Sequence, residues 1–185
     1  MNCCVKYFRA LLLSFFAFAA LSAAEKHEGV ACKVFFSPDD QIANHLIQRI
    51  TEEQESIYIA IYCFTHQEIA KALIAAKERG VYIEIIVDPY SLQAGKAVEK
   101  LSAAGLEIYV WDPPKKKAPL MHDKFCVFGS DTVWTGSFNF TYEANKSHQE
   151  NVVLLTSRDL AATFQKQFEL IKKRGCTPYK SYTSK

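Results

Sequence analysis

An almost unbroken apolar run at residues 57–64 constrains this chain more than any other feature. A strand that is apolar on both faces must be covered on both faces, so the sheet that holds it has helices on either side. The surrounding pattern agrees. Short apolar runs at residues 33–36, 81–87 and 106–111 alternate with stretches of helical periodicity, the layout of an α/β architecture.

The helices announce themselves by stripe and cap. Ile42, Leu46 and Ile50 fall four apart on one helix face, and Ser37-Pro38-Asp39-Asp40 before them predicts the helix start, with Pro38 in its first turn. Thr65 and Glu68 are spaced as a capping box, which gives His66 a structural place in a first turn; that helix should stop at Gly80. A further helix is expected over residues 94–104. Pro113, Pro114 and Pro119 make residues 112–120 a loop.

Beyond that loop the rhythm changes. Residues 122–128 and 132–135 are separated only by Gly129-Ser130-Asp131, which predicts an antiparallel hairpin. A strand at 151–155 and a helix at 158–174 follow. The fold class expected is α/β: a mixed, mostly parallel sheet of about seven strands flanked by helices on both faces. Residues 25–185 form one domain, as no repeat or low-complexity linker divides them.

Residues 1–24 read differently. Lys6 and Arg9 precede an apolar run at 10–21 that ends in Ser22, Ala23 and Ala24, the pattern of a secretory signal peptide; the alternative is an uncleaved anchor, for which the run is short. The mature protein is expected to be exported, to the periplasm or the medium. Without Lys6 and Arg9 the 22 basic residues become 20, against 20 acidic, so overall charge announces no polyanion partner. The dense basic run is local: Lys115, Lys116 and Lys117, ahead of His122.

Cys32, Cys63, Cys126 and Cys176 have no CxxC spacing, and no HExxH or carboxylate cluster is present, so the expectation is no metal and no cofactor. Cys63 and Cys126 sit in apolar runs as small core residues, while Cys32 and Cys176 are a candidate disulfide.

Chemistry concentrates in three stretches: His122-Asp123-Lys124, then Gly136-Ser137-Phe138-Asn139, then Glu150-Asn151. On a strand His122 and Lys124 share a face, and an imidazole beside an ammonium suits an anionic substrate. Gly136 permits a tight turn that lets Ser137 and Asn139 donate to phosphate oxygens. Glu150 could accept the Nδ1 hydrogen of an imidazole and leave Nε2 free to attack. Each residue alone is commonplace at a strand end.

Together, H-x-K, G-S-x-N and E-N resemble the HKD motif of the phospholipase D superfamily, most closely its small bacterial endonucleases with one motif per chain. Phe36-Ser37-Pro38, residues 60–65 and residues 72–81 also look like that family's opening units, so the resemblance covers about residues 32–175. It implies a metal-independent phosphodiesterase in which one histidine attacks phosphorus and a second, from another copy of the motif, protonates the leaving oxygen. His122 would be nucleophile or acid, Lys124 and Asn139 would bind phosphate, Ser137 would support them, and Glu150 would orient the imidazole. With one H-x-K in the chain, a homodimer must supply the second histidine.

The family's aspartate, five residues after the lysine, is Gly129 here, and Asp131 is a candidate substitute. Lys115, Lys116 and Lys117 form either a phosphate-contacting rim or a solvated loop, and Tyr90, Trp111 and Phe140 either stack on bases or, as aromatics at strand ends more often do, belong to the core. The function expected is an exported nonspecific endonuclease acting on DNA or RNA. The alternatives are a phospholipase or cardiolipin hydrolase, and a nucleic-acid-binding relative without turnover.

Overall fold

In the computed structural model, residues 30–114 and 119–184 are described. The elements run β1 (Ala31–Ser37), α1 (Ile42–Glu52), β2 (Ser56–Ile61), α2 (Gln67–Glu78), β3 (Tyr82–Val87), α3 (Tyr90–Ala94), α4 (Ala97–Ala103) and β4 (Glu107–Trp111). They continue with β5 (Lys124–Phe128), β6 (Thr132–Gly136), α5 (Tyr142–Lys146), β7 (Glu150–Thr156), α6 (Arg158–Gly175), β8 (Cys176–Pro178) and α7 (Tyr179–Thr183). All eight strands join one sheet in the order β1-β7-β6-β5-β2-β3-β4-β8.

The doubly apolar run is β2, in the middle, with Ile57, Ile59, Ala60 and Ile61 fully buried. One face of the sheet packs on α1, α2 and α4 through Leu46, Ile50, Leu73 and Leu101; the other packs on α6 through Phe168 and Ile171. Each such side chain contributes roughly 1.5–3 kcal/mol of burial, so the sheet is held from both sides as its composition requires.

The mixed, helix-flanked sheet is as expected, but it is not mostly parallel. Only β2·β3 and β3·β4 are parallel pairs; β1·β7, β7·β6, β6·β5, β5·β2 and β4·β8 are antiparallel. Alternating apolar runs and helices suggested successive crossovers. Yet α1 carries the chain from the β1 edge to the centre, leaving β1 to pair with β7. The eighth strand, β8, has only three residues and contains Pro178, too short to show in a period-2 pattern.

Local starts also differ. Helix α1 begins at Ile42, not at Ser37, because Asp40 turns back to accept the Phe36 amide at 2.7 Å and Gln41 adopts φ 50°. The cap of α2 is His66 rather than Thr65: its Nδ1 accepts the Ile69 amide at 3.4 Å, and Glu68 pairs with Lys71. His66 is structural, as its position suggested. The single helix expected over 94–104 is two, α3 and α4, parted at Gly95.

Cys32 and Cys176 cannot form the candidate disulfide. They lie on opposite edge strands, seven strand spacings apart, about 34 Å at ~4.8 Å each, whereas a bridge needs Cα atoms within about 7 Å. Cys63 and Cys126 are buried in the core. The segment 1–24 lies outside the described residues.

Candidate active site

One end of the sheet gathers the chemistry. Strand β2 ends at Ile61 opposite Lys124, the first residue of β5, while β6 ends at Gly136 opposite Val152, close to the start of β7. Three separate sequence stretches therefore open at the same edge.

His122 precedes β5 instead of lying within it, and it is exposed. Lys124 is half-buried, its Nζ 2.7 Å from the His122 carbonyl oxygen, 3.2 Å from Nδ1 and 3.5 Å from Nε2. The ammonium also lies 5.2 Å from the centre of the Tyr62 ring, which is itself 4.5 Å from the imidazole. Among the described residues no carboxylate is within ion-pair distance of Lys124. Burial lowers its pKa from the usual lysine range, opposed by Asp123, Glu150 and Cys63. Such an ammonium gains from an incoming anion, which replaces lost hydration with opposite charge.

Gly136 sets the approach of the next stretch. A Cβ there would lie 2.0 Å from the Asn151 carbonyl oxygen, so only glycine lets β6 and β7 run this close. Ser137 then exchanges backbone and side-chain bonds with β7: its amide donates to Asn151 O at 3.0 Å, and its Oγ accepts the Asn151 amide at 3.1 Å and donates to Glu150 Oε2. Glu150 Oε1 is 3.8 Å from His148 Nδ1. Within one chain, then, Glu150 engages Ser137 and His148. Asn139 Oδ1 is buried without a hydrogen-bond partner among the described residues, and its Nδ2 is the atom able to donate to a phosphate oxygen.

Two positioning residues gave no sequence signal. Asp88, 3% exposed, accepts the Met121 amide at 3.0 Å and the Tyr90 amide at 2.9 Å, tying the segment before His122 to the segment after β3. Ser91 Oγ donates to the Tyr62 carbonyl at 2.9 Å and accepts the Phe64 amide at 3.0 Å, fixing the Tyr62 backbone. Neither lies in a motif, and both act through backbone groups that a sequence does not reveal.

Of the stacking candidates, Phe140 is 1% exposed and packs edge-on against Phe64 in the core, so it cannot meet a base. Tyr90 and Trp111 line an open cleft beside His122. Lys115, Lys116 and Lys117 lie outside the described residues.

Gly129 stands in the β5–β6 turn with φ 53°, and a Cβ there would come within 3.5 Å of both Glu53 Oε1 and Glu55 Oε2. An aspartate would combine strain with carboxylate repulsion. Asp131 does not take its place: its carboxylate accepts the Thr132 hydroxyl and its carbonyl the Ser157 amide. Five residues of strand, about 17 Å at ~3.4 Å each, separate Gly129 from Lys124, so the exchange falls on the turn and not on the site. Gly129→Asp is expected to reduce stability by about 1–3 kcal/mol, read as a lower denaturant midpoint.

The family model described as "Cardiolipin synthase, PLD-like domain" matches residues 46–172. The phospholipase D of Rickettsia prowazekii is 33% identical over 130 residues, 70% of this chain and 62% of that protein. The mitochondrial cardiolipin hydrolase of Xenopus tropicalis is 27% identical over 131 residues, 70% of this chain and 60% of that protein. The chain thus spans about three-fifths of the length of these curated relatives. The solved structure of Nuc, a phospholipase D family member from Salmonella typhimurium, is 29% identical with a TM-score of 0.72, covering 82% of this chain and 99% of that one. NucT from Helicobacter pylori, 24% identical with a TM-score of 0.73 over 82% of this chain and all of that one, shares the fold. By this match, and by an H-x-K, G-S-x-N and E-N set gathered at one sheet edge, the chain belongs to the phospholipase D superfamily.

Proposed function

We propose that this protein is an exported, metal-independent endonuclease that cleaves DNA or RNA with little sequence preference, its site completed by a second copy of the chain. The observation that carries the reading is a half-buried ammonium on Lys124, lacking a carboxylate partner among the described residues and held against the imidazole of His122.

The chemistry is a double displacement. Nε2 of one His122 attacks phosphorus; the P–N bond forms as the P–O bond to the leaving oxygen breaks, and the partner's imidazolium gives its proton to that oxygen. The same imidazole, now neutral, takes a proton from water, whose oxygen attacks phosphorus as the P–N bond breaks. Lys124 holds the negative oxygens throughout, with Asn139 and Ser137 beside it. Glu150 accepts the Nδ1 hydrogen of the attacking imidazole once Ser137 turns to phosphate. Lys115, Lys116 and Lys117 extend the phosphate contacts on the rim.

A specific surface supports the dimer. Val30, Cys32, Val34 and Phe36 alternate along one face of β1 and its lead-in, all exposed, with Val34 at 48% and Phe36 at 57%. Phe36 pairs with Asn151 and Ser37 with Glu150, so this apolar stripe on an edge strand runs directly up to the site. A second copy laid over it would cover the stripe and bring its own His122 to the same edge.

The single-motif pattern of this chain and its likeness to Nuc over nearly the whole of that protein support the nuclease reading, while the phospholipase D and the cardiolipin hydrolase, each covered over about three-fifths of its length, favour a lipid substrate as the second reading. Incubating the protein with plasmid DNA, single-stranded RNA and cardiolipin vesicles in the presence of EDTA tests both. Cleavage of nucleic acid undiminished by the chelator is the expected result. Hydrolysis confined to cardiolipin overturns the substrate, and loss of all activity on chelation overturns the mechanism.

A further inference from the structure

An open cleft of about 270 Å³ is lined by Tyr62, whose ring contacts His122, and by Tyr90, Trp111, Pro119 and Leu120, with Asp88 also in the lining. That is slightly below the range of pockets that enclose whole drug-sized ligands, and suits one flat group. Its walls are mostly rings and apolar carbons, with Asp88 and Gln93 among the polar side chains. Tyr90 is 47% exposed and Leu120 61% exposed, so the cleft presents a ring and an apolar side chain to solvent.

The rings form a row that starts at the reacting atom. The His122 and Tyr62 rings are 4.5 Å apart, and Tyr62 and Tyr90 stack at 5.3 Å with planes within 3° of parallel. The outer side of this row is Tyr90, facing the cleft. Trp111 is fixed by its indole N–H, which donates to the Pro119 carbonyl at 2.6 Å. Tyr90 is fixed through its amide, held by Asp88, whose other oxygen holds the Met121 amide one residue before His122. One buried carboxylate therefore ties the backbone that carries Tyr90 to the backbone that leads into His122, so the ring row and the imidazole are anchored at a common point, and a stacking surface anchored in this way orders a substrate at a lower entropy cost.

We propose that this cleft is a subsite for one unpaired nucleobase flanking the scissile phosphate, stacked on Tyr90 and bounded by Trp111 and Leu120. A base can enter it only when free of its complement, so the substrate class is single-stranded nucleic acid. Among the described residues of the lining Gln93 is the lone amide, and the Asp88 oxygens are already engaged by the Tyr90 and Met121 amides, so stacking rather than base-edge hydrogen bonding dominates and the subsite is tolerant of sequence. This rests on the nuclease reading above.

The test compares Tyr90→Ala and Tyr90→Phe with the wild type on a single-stranded oligonucleotide and on versions carrying one abasic position walked through the nucleotides around the cleavage point. Tyr90→Ala is expected to lower kcat/KM on the intact strand about 5- to 150-fold, and Tyr90→Phe to restore it. One abasic position is expected to cost the wild type a similar factor, and the variant and that abasic strand together should lose no more than either alone. Independent, multiplying losses, or a Tyr90→Ala enzyme as active as wild type on the intact strand, overturn the subsite while the nuclease reading stands. A wild type that cleaves no nucleic acid and hydrolyses cardiolipin vesicles removes the nuclease reading and the subsite together.

Discussion

Replacing His122 by alanine is expected to lower kcat/KM on nucleic acid about 10⁴-fold or more, a loss of roughly 5.5 kcal/mol in transition-state stabilisation. In the proposed shared site one substitution removes two groups, the attacking nitrogen and the proton donor for the leaving oxygen. His122 is exposed and caps no element, so its removal should leave the fold within about 0.5 kcal/mol of wild type. A thermal melt beside the kinetic assay separates the two effects. Retention of more than about a tenth of wild-type activity would show that the imidazole is not the nucleophile.

The second large effect is expected on the edge strand β1, outside the H-x-K, G-S-x-N and E-N stretches. Changing Val34 and Phe36 together to aspartate puts two like charges from each copy into the proposed interface, at a cost of several kcal/mol. The dimer dissociation constant should rise about 10³-fold or more, since every 1.4 kcal/mol is tenfold. Both side chains are largely exposed in the single chain, so the monomer should still fold. Sedimentation equilibrium reads the association, and activity should disappear in step with it. A monomeric variant that still cleaves at the wild-type rate would place the interface elsewhere or remove the need for one.

How much of this was legible in the sequence depends on whether a feature is written in side-chain type or in backbone geometry. The run at 57–64 placed β2 at the sheet centre because burial on both faces demands apolar residues at every position. Lys124, Ser137, Asn139 and Glu150 were visible as site candidates because each carries a functional group, and the sheet edge brings them together. The large share of antiparallel pairing was not visible, because which strand lies beside which is decided by long-range packing that a period-2 pattern does not encode. Phe140 was open between core and stacking, because an aromatic at a strand end reads the same in a core as on a rim, and its burial decides for the core. Asp88 and Ser91 were missed because they bind backbone amides and carbonyls, which every residue has. Gly129 was seen as a departure, but its φ of 53° and the carboxylates of Glu53 and Glu55 beside it, which make glycine the fitting residue, needed coordinates.

The amino-terminal half carries no second H-x-K and still matters to the site. Strand β1 presents Phe36 and Ser37 against Asn151 and Glu150, and β2 delivers Tyr62 to the imidazole. The first half thus shapes the surroundings in which the second half reacts. It also carries the exposed stripe on which a further copy can lie.

The most direct measurement mixes wild-type and His122→Ala chains in varying proportion, lets subunits exchange fully, and follows total nuclease activity at constant total protein. If each reacting phosphorus needs an imidazole from both copies, mixed dimers are dead and activity falls as the square of the wild-type fraction. Activity that falls in direct proportion to that fraction would mean that each chain works alone, and would contradict the shared site.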